Sequence, residues 1–245
     1  MKIGLITGIG KGIGLSLTKS LIRSNIKVIG INRSENVDII KLKKNNNFKF
    51  YKCDVSNYSK INQIIDKIFI NYGPIDFVVN NAGIRARAKL SEVDIKNYQN
   101  VFNINTLGPI NITKKIIDKI YVNKRIHKEL KVINLSSIVG LRGFKDLSVY
   151  ACSKAALDAF TKSISLEYAK YGLVINSIAP GFFKTSYFKN FKKNKSLYNW
   201  TIENIPMKRW GEESELVELL LFLIESKSNY LNGSVITIDG GWTAK

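Results

Sequence analysis

The chain has 245 residues, 45% of them hydrophobic, with 38 Lys and Arg against 19 Asp and Glu for a formal net charge of +19. That length allows one large domain with a well-buried core. No apolar run approaches the roughly 18 residues of a membrane helix. No charged-then-apolar leader precedes the first strand. Cys53, Cys152 and the single His127 form no metal or disulfide pattern, so a cytoplasmic, metal-free protein is expected.

The first element, residues 2–7, is a short apolar run suited to a buried parallel strand. A glycine turn follows, then a helical pattern over 12–23 carrying Leu15, Leu17, Leu21 and Ile22. Further strands are expected near 27–31, 48–52, 75–79, 131–135, 173–178 and 234–238. Helices are expected near 58–71, 95–120, 148–170 and 212–224. Such alternation predicts an α/β chain, a doubly wound Rossmann-like parallel sheet of about seven strands with helices on both faces. A single domain over 1–245 is expected. A long irregular segment, about 181–211, carries Phe182, Phe183, Tyr187, Phe188, Phe191, Tyr198 and Trp200, and reads as a lid.

Three residue groups carry chemistry. Gly8, Gly12 and Gly14 stand between strand and helix, the context of a dinucleotide-binding loop. Glycine lets backbone approach a pyrophosphate, and the helix N-terminus offers free N–H groups to an anion. At the end of the second strand stand Asn32 and Arg33, with Lys11 in the glycine loop. An acid there would bind a ribose 2′-hydroxyl and repel a 2′-phosphate. Two cations and a neutral Asn predict NADPH/NADP+ rather than NAD, the alternative being solvated surface cations. Finally, Tyr150 and Lys154 stand four apart, which puts phenol and ammonium on one helix face. The cation is expected to lower the phenol pKa. Ser137, at a strand end, can bond the oxygen that takes the tyrosine proton. Together they make an acid for carbonyl reduction or a base for alcohol oxidation.

These motifs occur with Asp54-Val55, Asn80-Asn81-Ala82-Gly83, Asn105, Pro180-Gly181 and Asp239-Gly240-Gly241. In that order the chain resembles a short-chain dehydrogenase/reductase of the single-domain type, from about residue 2 to 244. The resemblance implies cofactor contacts from Gly8, Lys11, Gly12, Ile13, Gly14, Asn32, Arg33, Asp54, Val55, Asn81, Ala82 and Gly83. It implies further ones from Tyr150, Lys154, Pro180, Gly181 and Thr185. It also implies catalysis by Ser137, Tyr150 and Lys154, with Asn105 holding a water in a proton relay or serving only as a helix-kink residue. A homotetramer or homodimer built through the helix of Tyr150 and the preceding helix is implied as well.

Substrate signals are thinner. Arg85 and Arg87 follow Gly83, where the family has its pocket mouth, and either bind a carboxylate or remain solvated. Ser137 and Tyr187 are the other expected substrate contacts. Leu197–Trp200, Pro206–Glu212 and the Asp239–Ala244 ending resemble gluconate 5-dehydrogenase and related sugar-acid oxidoreductases, which points to a keto sugar acid. The runner-up is 3-oxoacyl-acyl-carrier-protein reduction, with acyl carrier protein as partner. Tyr171 stands before Gly172, where those enzymes often carry a basic residue, although Lys128 and Lys170 are near in sequence. A basic, aromatic lid with Lys184, Lys189, Lys192, Lys193 and Lys195 also fits single-stranded nucleic acid. No nucleic-acid motif accompanies it, and Lys, Asn and Ile are frequent throughout, so the charge either attracts an anionic substrate or acidic carrier protein or is compositional; a non-catalytic NADPH- or nucleic-acid-binding protein is the alternative of another class.

Overall fold

The computed structural model describes residues 1–122, 129–186 and 188–244. His127, Lys128 and Tyr187 therefore lie outside the described residues. Seven parallel strands form one sheet in the order β3-β2-β1-β4-β5-β6-β7. They are β1 Ile3–Thr7, β2 Lys27–Asn32, β3 Phe48–Lys52, β4 Phe77–Asn80, β5 Leu130–Leu135, β6 Leu173–Pro180 and β7 Val235–Ile238. The order reverses between β1 and β4, which opens a crevice at their C-terminal ends.

Because successive side chains alternate across a strand, each strand feeds both faces. Leu5 joins a core with Ile61, Ile65 and Ile68 of α3 (Tyr58–Tyr72) and Ile112 and Ile116 of α5 (Gly108–Ile117). Its neighbour Ile6 joins the opposite core, with Leu17 and Leu21 of α1 (Gly12–Arg23) and Leu216 and Leu220 of α9 (Glu213–Glu225). The short α2 (Val37–Leu42) contributes Ile39 to that second core. The long α6 (Ser148–Tyr168) lies with α3 and α5, packing Phe160 and Ile164 on the first core.

A polar seam runs between the sheet and α6. Asn80 Nδ2 donates to Asn134 Oδ1 (2.8 Å), Asn134 Nδ2 to Thr161 Oγ1 (2.9 Å), and the Thr161 and Ser177 hydroxyls bond at 2.9 Å. All four residues are buried, where an unmade bond costs about 1–3 kcal/mol. The seam therefore fixes the axial position and rotation of α6 against β5 and β6.

Two expectations are corrected. The helix expected over 95–120 is interrupted: α4 (Ile95–Phe102) passes through a π-helical stretch, Asn103–Leu107, before α5. Pro109 cannot donate to the i−4 carbonyl, and the Asn105 side chain is committed elsewhere, so the regular ladder yields there. A second π-helical stretch, Asp118–Val122, follows α5.

The supposedly irregular 181–211 segment contains α7 (Phe188–Lys192) and α8 (Lys195–Asn204), the latter capped by Asn194, whose Oδ1 accepts from Leu197 N at 3.0 Å. Its ends are tied by Gly211 N donating to the Phe182 carbonyl at 2.9 Å. Trp210, 2% exposed, is the hub. Phe182, Phe188, Phe191 and Tyr198 surround its ring at centroid distances of 4.9–5.9 Å, and its Nε1 donates to Thr201 Oγ1 at 2.8 Å. These four aromatics pack on one another, whereas Trp200 of the same segment stays exposed and meets the Trp242 ring at 5.4 Å. Trp210→Ala is expected to cost about 3–5 kcal/mol, seen as a lowered midpoint in urea unfolding.

Candidate active site

A cleft of about 520 Å³ opens along the C-terminal ends of β1 to β4. Gly8, Lys11, Gly12, Ile13, Asn32, Arg33, Asp54, Val55, Asn81, Ala82, Gly83 and Thr185 all line it. Gly8 turns the chain at φ 73°, in the left-handed region that favours glycine. Gly14 does not line the cleft. A Cβ there would overlap the Gly8 carbonyl and the Asn81 side chain, so this glycine lets α1 pack against the strand end. Lys11 at the N-cap makes no side-chain cap, leaving the first N–H groups of α1 available to an anion. The glycine cradle and exposed N–H groups fit an extended pyrophosphate-bearing dinucleotide.

The cleft walls are fastened by polar ties. Asn81 Nδ2 donates to the Thr7 and Gly8 carbonyls at 3.0 Å, and Ala82 N donates to Thr7 Oγ1 at 3.0 Å. Asp54 Oδ1 accepts from the Ser56 amide and hydroxyl at 3.0 and 2.7 Å. Asn36 was missed. Its Oδ1 caps α2 through Ile39 N (3.0 Å) and its Nδ2 donates to the Gly10 carbonyl (2.6 Å), joining the glycine loop to the turn after β2. An Asn ahead of a helical segment was its one signal. The two acids nearest that turn are engaged elsewhere, Glu35 with Lys43 at 2.7 Å and Asp38 with Lys19 at 2.9 Å.

Ser137, Tyr150, Lys154 and Asn105 meet beside this cleft. A Cβ on cleft-lining Gly83 would lie 3.3 Å from Asn105 Oδ1 and 3.6 Å from Lys154 Nζ. Asn105, fully buried, bonds both the amide and the carbonyl of Ile84 at 2.8 Å and donates to Ser153 Oγ at 3.1 Å. Those bonds use a side chain displaced by the π-helical stretch and pin the segment leading to Arg85. Ser137 sits in extended backbone after β5, its Oγ accepting from Val139 N at 3.2 Å. Its hydroxyl acts on the Tyr150 phenol, favouring the charged form.

The electrostatics correct one expectation. Burial pushes the Tyr150 phenol above its ordinary value, and the opposing influences are the Ser137 hydroxyl and the Arg85 charge. Lys154 Nζ instead donates to the Leu135 carbonyl at 2.5 Å and lies 5.8 Å from the Tyr150 ring centre. Burial draws the Lys154 ammonium down to about 8, with Asp158 pulling it back up.

The sign for stability follows. Below pH 8 both folded and unfolded chains carry the charged lysine, and the folded state bears its desolvation. Between about 8 and 10.5 the unfolded chain binds more protons, so stability rises with pH. Measured against Lys154→Met by urea unfolding, the gain across that window should be about 3 kcal/mol.

The remaining residues spread out. Pro180 and Gly181 lie at the end of β6, where Gly181 N donates to Ile238 O at 2.9 Å and a Cβ would meet Asp239, and neither lines the cleft. Arg85 and Arg87 are exposed, and the Arg85 charge is felt at Tyr150. On the other side of Tyr150 lies an apolar wall of Ile138, Val139, Leu147, Phe144, Phe182 and Trp242, in which Phe144 and Trp242 stack at 5.7 Å. The apolar residues of this wall come from segments distant in sequence.

Sheet order and cleft define a dinucleotide-binding enzyme of the doubly wound α/β class. Residues 8–243 match the family model described as enoyl-(acyl carrier protein) reductase, and the chain belongs to the short-chain dehydrogenase/reductase family, oxidoreductases acting on CH–OH groups. The chain is 34% identical over 243 residues, 98% of its length and 96% of the other's, to 3-oxoacyl-acyl-carrier-protein reductase FabG of Buchnera aphidicola subsp. Baizongia pistaciae. A 4-hydroxyisoleucine dehydrogenase complexed with NADH superposes with a TM-score of 0.93 at 26% identity, covering 100% of both chains. A gluconate 5-dehydrogenase from Burkholderia cenocepacia J2315, in complex with NADP and tartrate, superposes with a TM-score of 0.90 at 27% identity, covering 100% of this chain and 96% of that one. Among the described residues no helix is long and apolar enough to cross a membrane.

Proposed function

We propose that the protein is a single-domain, NADPH-dependent oxidoreductase that interconverts a ketone and a secondary alcohol, with Tyr150 as the acid or base. The observation that carries this reading is the convergence of Ser137, Tyr150 and Lys154 beside the cleft, with the lysine buried one helical turn on from the tyrosine. A dinucleotide bound in the cleft would supply or accept the hydride. Tyr150 gives its proton to the developing alkoxide, and the Ser137 hydroxyl stabilises the same oxygen. Lys154 lends positive charge to the phenolate that remains. Asn105 holds the Ile84 backbone that forms the near wall.

NADPH is favoured by the charge at the adenosine end. Lys11 and Arg33 line the cleft beside neutral Asn32, and Glu35 and Asp38, the acids that follow β2, are paired with lysines. A carboxylate-bearing substrate such as a keto sugar acid is favoured by Arg85 and Arg87 at the mouth. A second reading, reduction of a 3-oxoacyl thioester on an acyl carrier protein, is favoured by the apolar wall at Tyr150 and the likeness to FabG. We further infer a cytoplasmic homotetramer or homodimer built through α6 and its neighbour. Exposed Leu166 and Leu107 support that assembly.

The test is NADPH and NADH oxidation against 5-keto-gluconate, other keto sugar acids, an acetoacetyl thioester and simple diketones. Turnover of keto sugar acids with NADPH is the expected result. Preference for the thioester would move the assignment to the second reading. Tight NADPH binding without turnover of any ketone would overturn both.

A further inference from the structure

Tyr150, Lys154 and Asp158 follow one another at i, i+4 and i+8 along α6, forming a single ladder. Each rung meets the chain leaving β5 at a different residue. Lys154 Nζ donates to the Leu135 carbonyl, the Ser136 hydroxyl donates to Asp158 Oδ2 at 2.8 Å, and the Ser137 hydroxyl acts on the Tyr150 phenol. Lys154 and Asp158 are each 4% exposed. Ser136 also lies 3.4 Å from the Lys154 carbonyl, so one hydroxyl touches both lower rungs.

From this ladder we propose that Asp158 is a positioning residue for the proton-handling pair. Its buried carboxylate holds Lys154 in the charged form and, through Ser136, fixes the backbone that presents Ser137. The proposal rests on the reading of Tyr150 and Lys154 given above.

The surroundings of Asp158 agree. On its own helix the charges that act on it are Lys154 and Lys162; from the sheet side come the hydroxyls of Ser136 and, on β6, Ser177. Burial pushes the Asp158 carboxyl up, and all four of these groups pull it back towards the charged form. No salt bridge joins Asp158 to Lys154, so the influence is through space, in a region where burial weakens solvent screening. A carboxyl that only fastened α6 to the sheet would affect stability without moving the titration of Lys154.

The experiment uses that difference. Asp158→Asn keeps the shape and an acceptor for Ser136 but removes the charge. Stability is measured by urea unfolding across pH for the parent and for Asp158→Asn, each with and without Lys154→Met. In the parent the Lys154-dependent part of the stability should begin to change near pH 8. In Asp158→Asn that onset should fall by roughly half a pH unit or more. An unmoved onset overturns the proposal. Should Asp158→Asn fail to fold, Asp158→Ser also removes the charge and leaves a hydroxyl to meet Ser136; the same fall in onset is then expected, and no shift is again fatal. In alcohol oxidation, the ascending limb of the pH–rate profile should move to higher pH in Asp158→Asn. The stability measurements need no substrate, so they stand apart from the ketone panel, whose failure would remove the function while leaving the Asp158–Lys154 coupling measurable.

Discussion

Tyr150→Phe should lower kcat with every accepted ketone by about 10²–10⁴-fold, the contribution expected of a positioned proton donor. The substitution is a narrow one. The Tyr150 ring packs with Ile138, Val139 and Leu147, and phenylalanine preserves those contacts. Only the hydroxyl goes, the group on which the Ser137 hydroxyl acts. Ser137 lies after β5 and keeps its bond from Val139 N, so its backbone should not move. Dinucleotide affinity, set along the Gly8–Gly14 loop and the turn after β2, should remain near that of the parent. Steady-state kinetics with a fluorescence titration of NADPH separates the two quantities. Near-parental turnover in Tyr150→Phe would remove the tyrosine from the mechanism, whereas loss of both turnover and NADPH binding would mean that the variant had disturbed the cleft itself.

The second large effect is expected at the other end of the cleft. In Asn32→Asp/Arg33→Ser the ratio of kcat/KM for NADPH to that for NADH should fall by roughly 10²-fold or more. A charge-assisted hydrogen bond contributes about 1.5–3 kcal/mol, and a new carboxylate adds repulsion against a 2′-phosphate. Asn32 Nδ2 donates to the Ser34 carbonyl at 2.7 Å, a bond that aspartate cannot make. Some loosening of the turn is therefore expected alongside the change in preference. Asn36 should hold the rest in place through Gly10 and Ile39. An unchanged ratio would show that Lys11 and Arg33 are solvated cations without a role in recognition.

What the sequence disclosed depended on how local each signal was. β3 matched residue for residue, because a short strand bounded by turns is written in adjacent positions. The glycine loop was legible for the same reason. α2 was missed because its six residues are too few to show a helical period. The break at Asn103–Leu107 was invisible because it answers to partners far along the chain, Ile84 and Ser153. The aromatic run of 181–211 was seen but misread: aromatics in a loop look alike whether they face solvent or one another, and Trp210, left out of that count, decides which. The Tyr150–Lys154 pair was found by spacing alone. The sign of the field on Tyr150 was not, since it turns on burial and on Arg85, both products of the folded chain.

The polar seam from Asn80 through Asn134 and Thr161 to Ser177 has an evolutionary corollary. The two apolar cores tolerate piecemeal exchange of one aliphatic side chain for another, since volume can be recovered nearby. A hydrogen-bonded string offers no such freedom, because changing one member strands the next. Among descendants of this chain, the seam should be inherited as a block, with substitutions arriving in compensating pairs. Ile112 and Ile116 should drift one at a time.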